Sequence, residues 1–247
     1  MAFLLRTLAS ALLAALIPGA VAQAPDEFAE MRLFLADAIE RGVNSVREAN
    51  GEPAIDPRVI AALAKVPRHE FAPPELRPYA YLDRPLPVGL DATISQPSLV
   101  AVMTDLLRIR RGEKVLEIGI GGGYHTAILA ELTSEVFSVE YHAQAAQGAK
   151  RTLDRLGYGG VRVHVADGYY GWSEHAPYDA VLVRMAIPAV SPALFDQLKP
   201  GGRLIAPIGP ADSPQLLTLY EIGADKRVTA REIMPVIFRG LPGGVRL

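Results

Sequence analysis

The 247-residue chain contains no cysteine. This absence excludes disulfide bonds, a cysteine nucleophile and any metal site built on thiolate ligands. It is compatible with an oxidising compartment but does not identify one. The sequence also has no metal-ligand spacing of histidines and carboxylates, so we expect no metal.

Positive charge is scarce as well. The chain has 25 lysines and arginines against 27 aspartates and glutamates, and its formal net charge at pH 7 is −2. Proteins that bind nucleic acid through the phosphate backbone need a basic field, and this chain has none. We therefore expect no nucleic-acid partner.

The N-terminus has an apolar run, residues 8–17, that is too short to cross a bilayer comfortably. Arg6 is the only charged residue among the first 25, a Pro-Gly pair ends the run, and Ala20-Val21-Ala22 has the small-x-small pattern of a cleavage site. The pattern predicts a secretory signal peptide cleaved after Ala22. We expect a periplasmic or secreted protein without stable membrane association; the alternatives are a misassigned start or an uncleaved anchor.

Helical patterns dominate the next part of the chain. Residues 27–50 and 98–107 place apolar side chains at helical spacing, and Asp56-Pro57 has the capping residue and first-turn proline that open a second helix. Residues 70–92 are rich in proline and predict a loop with short extended pieces. We divide the chain into a signal peptide (1–22), a helical extension with its loop (23–92) and a catalytic domain (93–247).

Strands and helices alternate from residue 113. Predicted strands lie at 114–118, 136–139, 161–165, 180–183 and 204–207, and predicted helices lie at 127–132, 143–156 and 191–198. Residues 215–222 and 227–236 alternate as antiparallel strands do. This order predicts an α/β fold, a doubly wound and mostly parallel Rossmann-like sheet that ends in antiparallel strands.

A glycine-rich stretch, Glu117-Ile-Gly-Ile-Gly-Gly-Gly123, follows the first strand of this unit. A dinucleotide site would have its third glycine at position 124, which is Tyr124. The observed acidic-x-G-x-G-x-G spacing is instead typical of S-adenosylmethionine-dependent methyltransferases, in which the backbone passes the amino-acid end of the cofactor. A tight turn without a ligand is the alternative.

Acidic residues end the next two strands. Glu140 ends the second strand, where a carboxylate can accept both hydroxyls of a ribose. Asp167-Gly168 follows the third strand, where an acidic residue that binds adenine is expected. Each acid alone is more often a solvated loop residue, but their placement at successive strand ends predicts a nucleoside site.

The sequence resembles protein-L-isoaspartate O-methyltransferases over roughly residues 55–237. The resemblance is carried by VPRHEFAP (66–73), ATISQP (92–97), VLEIGIGGGYHTAILAEL (115–132), SVE (138–140), ADGYYGWSEHAPYDAVLV (166–183) and LKPGGRLIAPIG (198–209). It implies methylation of isoaspartyl carboxyl groups in damaged proteins or peptides, with S-adenosylmethionine as methyl donor. It also places Ser95 at the active-site serine of the family. The predicted cofactor residues are Glu117, Gly119, Gly121, Gly123, Glu140, Asp167 and Gly168.

The chain departs from the family pattern at two places. The family usually has threonine at position 120 and serine at 122, where this chain has Ile120 and Gly122. After the fourth strand the family usually has V-T-A-A-P, whereas this chain has Val-Arg184-Met185-Ala-Ile-Pro. Two alternative functions therefore stay open: an exported non-catalytic binding protein, and a methyltransferase for another anionic substrate held by Arg184.

The expected chemistry needs no general base. A carboxylate is already ionised at neutral pH, so the protein has to position it and exclude water. Ser95 could orient the carboxylate by a hydrogen bond without removing a proton. His125 opens the helix after the glycine loop and could touch the ligand.

Overall fold

The computed structural model describes residues 26–89, 92–211 and 213–242. The predicted signal peptide, residues 1–22, lies outside them. No helix within the described ranges is both long enough and apolar enough to cross a membrane.

Three helices form the N-terminal part: α1 (Ala29–Ala49), α2 (Pro57–Lys65) and α3 (Pro97–Leu106). The start of α2 is the one that the sequence predicts, since the Asp56 side chain accepts a hydrogen bond from the Arg58 amide and Pro57 occupies the first turn. Buried side chains of α1 and α2 belong to the same hydrophobic cluster as those of the central sheet. The extension therefore shares its core with the catalytic domain.

A small antiparallel hairpin lies between α2 and α3. Its strands are β1 (Leu86–Gly89) and β2 (Ala92–Ile94). The sequence predicts only short extended pieces here. Strands of three or four residues in a proline-rich segment leave too little alternating pattern to be recognised as a hairpin. The predicted boundary between residues 92 and 93 falls inside β2.

The central sheet has seven strands within the described ranges. They are β3 (Lys114–Ile118), β4 (Glu135–Glu140), β5 (Arg162–Val165), β6 (Tyr178–Val183), β7 (Leu198–Ile208), β8 (Gln215–Ile222) and β9 (Val228–Val236). The spatial order is β5-β4-β3-β6-β7-β8-β9. The pairs from β5 to β7 are parallel, whereas β8 pairs antiparallel with both β7 and β9. The predicted fold class is confirmed.

The remaining α-helices within the described ranges are α4 (Tyr124–Leu132), α5 (Ala143–Arg155) and α6 (Pro192–Asp196). Helix α6 is shorter than the predicted 191–198. The reason is that Leu198 already pairs with Tyr178, so β7 begins where the helix was expected to continue.

Strand order reverses at β3. The chain runs outward from β3 through β4 to β5 and then returns to β6 on the other side of β3. In open α/β sheets, ligands bind beyond the carboxyl ends of the strands at such a reversal. The loops after β3 and β6 meet at this point.

Candidate active site

A cavity of about 1440 Å³ opens at the strand reversal. Its polar part is lined by Ser95, Gly119, Gly121, Glu140 and Arg184. Its apolar part extends between α1, α3 and β9 and is lined by residues such as Ile39, Leu99 and Ile233. The cavity thus joins a polar site at the sheet edge to an apolar groove.

The glycine loop lines the polar part through Gly119 and Gly121. Their φ angles are +91° and +53°, a left-handed conformation that favours glycine. A β-carbon on Gly121 would lie 3.7 Å from the terminal nitrogens of Arg184 and 3.8 Å from the Thr93 carbonyl oxygen. The loop therefore presents bare backbone to the cavity.

Gly123 packs against α5, and the cofactor contact predicted for it stays a prediction. Its φ angle is +90°, and a β-carbon there would lie 3.3 Å from the Ala149 side chain of α5. It does not line the cavity. Gly123 lets the loop turn into α4 against α5.

Glu117 lies beneath the loop and is fully buried. Its Oε2 accepts hydrogen bonds from the hydroxyls of Thr126 at 2.6 Å and Ser138 at 2.9 Å, and its Oε1 accepts one from Arg184 at 3.2 Å. Burial raises the pKa of Glu117, while Arg184 and the two hydroxyls oppose that rise. This carboxylate joins β3, β4 and β6 below the site, and the direct contact with cofactor stays a prediction that its burial does not favour.

Glu140 is at the end of β4 and lines the cavity. Its Oε1 accepts a hydrogen bond from the His142 amide at 3.0 Å, and its Oε2 accepts one from the Gly121 amide at 3.3 Å. Glu140 as a whole is only 6 % exposed. Its position beside the glycine loop suits the ribose contact predicted for it.

Ser95 follows β2 and lines the cavity. It is 8 % exposed, and its hydroxyl has no hydrogen-bond partner within the described ranges. The following helix is capped by another residue, since the Asp83 carboxylate accepts a hydrogen bond from the Ser98 amide at 2.8 Å. Capping of α3 is therefore not the role of Ser95.

Asp167 and Gly168 lie one strand beyond Glu140. Asp167 accepts a hydrogen bond from the Tyr169 amide at 3.0 Å, and the preceding residue pairs with the Glu140 carbonyl group. Gly168 packs on the core, because a β-carbon there would lie 2.3 Å from the Ile118 side chain. Neither residue lines the large cavity. Gly168 packs on the core, and the cofactor contacts of Gly168 and Asp167 both stay predictions.

His125 does not reach the cavity. The Thr104 hydroxyl donates to the Val100 carbonyl oxygen at 2.7 Å, so it accepts the hydrogen bond from His125 Nε2, 2.9 Å away. Burial lowers the pKa of His125 well below its ordinary value. The neutral imidazole links α3 to α4, and the possible ligand contact is not supported.

No cluster of three or more histidines, aspartates or glutamates in the described part of the chain could hold a metal ion. The site is instead made of backbone, carboxylates, hydroxyls and guanidinium groups, of which Ser95 and Arg184 lie beside the glycine loop. Sequence reasoning missed the apolar groove, because its residues come from segments that are distant in the chain.

The family model described as protein-L-isoaspartate(D-aspartate) O-methyltransferase matches residues 46–245. Protein-L-isoaspartate O-methyltransferase 2 of Syntrophobacter fumaroxidans is 48 % identical over 226 residues, which cover 92 % of each chain. Protein-L-isoaspartate O-methyltransferase 1 of Cupriavidus necator is 45 % identical over 94 % of this chain and 90 % of its own length.

Solved structures of similar proteins also superpose on this chain. A structure of a protein-L-isoaspartate O-methyltransferase superposes with a TM-score of 0.73 at 30 % identity, over 87 % of this chain and 66 % of its own. A Plasmodium falciparum protein described as a putative member, in complex with S-adenosyl-L-homocysteine, superposes with a TM-score of 0.68 at 20 % identity. It covers 85 % of this chain and 97 % of its own, and at that identity the likeness shows the fold.

Proposed function

Because the chain belongs to the protein-L-isoaspartate(D-aspartate) O-methyltransferase family, and so methylates isoaspartyl carboxyl groups with S-adenosylmethionine, we propose that both substrates meet in the cavity at the strand reversal. The observation that carries the proposal is the bare backbone of Gly119 and Gly121 facing the same cavity as Glu140 and Ser95.

The residues present fit S-adenosylmethionine. The left-handed loop leaves room for the methionyl end, and the Glu140 carboxylate can accept the ribose hydroxyls beside it. Asp167 would contribute from the next strand end, since β5 and β4 are paired up to Val165 and Glu140. Bound in this way, the donor supplies an electrophilic methyl group on a sulfonium.

The protein's own residues position the acceptor. The isoaspartyl carboxylate arrives ionised, and no base is needed to remove a proton. The Ser95 hydroxyl, which has no other partner within the described ranges, can donate a hydrogen bond to one carboxylate oxygen and hold the other in line. Positioning and exclusion of water can supply about 7–11 kcal/mol of the barrier reduction.

The substrates are proteins or peptides that contain isoaspartyl residues. We propose that neither nucleic acid nor a membrane takes part, because the formal net charge of −2 gives no overall positive field to attract either one. The deciding experiment is methyl transfer to an isoaspartyl peptide and to its normal aspartyl twin. Transfer to the isoaspartyl peptide alone is expected, and equal transfer to both would contradict the assignment.

We also propose that the mature protein is exported, on the basis of the charge, apolar run and small-residue pattern of residues 1–22. A fusion of residues 1–24 to a reporter that is active only outside the cytoplasm should give signal, and the mature chain should begin at Gln23. Intact Met1 on cytoplasmic protein would refute export. Because S-adenosylmethionine is made inside the cell, that outcome would also place enzyme and donor together.

A further inference from the structure

The glycine loop of this chain has no side-chain hydrogen-bond donor at two positions where the family usually has hydroxyl residues. Ile120 is buried in the hydrophobic core, and Gly122 has no side chain. An anionic group that lies against the loop finds no hydroxyl donor at these two positions, so the backbone and the residue that faces the loop across the strand reversal are the donors beside it. The chain carries an arginine, Arg184, at that facing position, where the family usually has threonine.

Arg184 follows β6 and reaches over to the loop after β3. Its backbone amide donates to the Ile118 carbonyl oxygen at 3.0 Å, which fixes the residue beside β3. Its Nη1 donates to the carbonyl oxygens of Gly119 and Ile120, both at 2.9 Å, and to Glu117 Oε1 at 3.2 Å. A single nitrogen thus holds the loop and the buried carboxylate.

The other edge of the same guanidinium is unused. Nε is buried and has no hydrogen-bond partner in the described part of the chain, and none of the Arg184 hydrogen bonds found there involves Nη2. Arg184 is 8 % exposed, and it lines the cavity beside Gly121. The N–H groups of Nε and Nη2 are parallel, and this geometry matches the two oxygens of a carboxylate. A buried donor left unpaired is unfavourable, so the edge is suited to a ligand.

We propose that the Nε–Nη2 edge of Arg184 binds the carboxylate at the methionyl end of S-adenosylmethionine. The inference rests on the proposed function, since it assigns a ligand group within the same site. The carboxylate would lie beside Gly121, where the missing side chain leaves room next to the Arg184 guanidinium, because Met185 already packs within 3.2 Å of where a β-carbon on Gly119 would lie. The arginine takes the place of the hydroxyl donors that the loop lacks.

Charge favours this carboxylate over the one that is methylated. The reacting carboxylate loses its negative charge as the ester forms, so a guanidinium bound to it would stabilise the ground state more than the transition state. The methionyl carboxylate keeps its charge throughout the reaction. An arginine on that group strengthens binding without opposing transfer.

The test compares two ligands by calorimetry: S-adenosylhomocysteine and its decarboxylated analogue, which keeps the amine. Wild type is compared with Arg184→Met, which removes the charge, and Arg184→Lys, which keeps the charge without the planar edge. Arg184→Met should weaken S-adenosylhomocysteine binding about ten- to a hundredfold and binding of the analogue by less than about threefold. Arg184→Lys should lie between wild type and Arg184→Met.

Equal weakening of both ligands would overturn the inference, because Arg184 would then only shape the loop. Unchanged cofactor affinity with a raised KM for the isoaspartyl peptide would also overturn it, since the edge would then bind the other substrate. If Arg184→Met alone does not fold, the double variant with Glu117→Gln removes both buried charges and allows the same comparison. Failure of wild type to bind S-adenosylhomocysteine would refute the proposed function itself.

Discussion

The ends of β3 and β5 each carry an acidic residue and a glycine. The two segments look equivalent in the sequence, but the structure buries a different member of the pair in each. The β3 loop exposes Gly119 and Gly121 to the cavity, while its acid, Glu117, is buried beneath it. In the β5 loop the glycine is the buried member, because Gly168 packs on Ile118. An acid–glycine pattern at a strand end therefore does not tell which member meets the ligand.

The largest effect is expected at Gly121. Gly121→Val would place a branched side chain in a left-handed conformation, with its β-carbon next to Arg184 and Thr93. We expect calorimetry to show loss of S-adenosylmethionine binding by more than about a hundredfold. Gly122→Ala is the matched control, because its φ is ordinary and its β-carbon would make contacts of 3.6 Å or longer. Wild-type affinity in Gly121→Val would remove this loop from the site.

The second prediction concerns Glu140, at the carboxyl end of β4 between the β3 and β5 loops, and asks whether its carboxylate binds the cofactor. Charge-assisted hydrogen bonds contribute roughly 1.5–3 kcal/mol, so Glu140→Ala should weaken cofactor binding about ten- to a hundredfold. Glu135→Ala is the control, because Glu135 lies at the opposite end of β4 and forms an exposed ion pair with Arg162. If the two variants bind cofactor equally well, β4 does not direct a carboxylate to the ribose.

Ser95 tests whether the segment over the cavity acts on transfer rather than on cofactor binding. Ser95→Ala should lower the transfer rate at least about tenfold, keep cofactor affinity within about threefold and leave the pH profile near neutrality unchanged. Its melting temperature should stay at the wild-type value. Asp83→Ala, which removes the cap of α3, should instead lower stability by about 0.5–2 kcal/mol. A lower melting temperature with full activity in Ser95→Ala would contradict the catalytic role.

The sequence predicted most of the sheet because hydrophobic patterning is local. Strands β3 and β8 have the predicted bounds, whereas the hairpin at 86–94 and the shortened α6 depend on pairing partners elsewhere in the chain. The same limit applies to the site. Glycines and acids were found by spacing, but the contact of Arg184 with the Gly119 carbonyl joins residues 65 positions apart. Only the adjacency of β3 and β6 creates it.

Gly168→Ala is expected to have the smallest effect on ligand binding. It therefore contrasts most clearly with Gly121→Val. Gly168→Ala would bring a β-carbon to 2.3 Å from the Ile118 side chain, so the core must shift. Overpacking of this kind costs about 1–3 kcal/mol. In a domain of this size that lowers the melting temperature by roughly 2–12 °C.

Cofactor affinity of the folded Gly168→Ala protein should stay within about threefold of wild type, because Gly168 does not line the large cavity. Gly160→Ala is the matched control, since it precedes the same strand and its β-carbon would meet no atom within 4 Å. It should melt and bind as wild type does. If Gly168→Ala instead keeps its melting temperature and loses cofactor, Gly168 borders the ligand as the sequence predicted. The two loops would then be equivalent in function as well as in pattern.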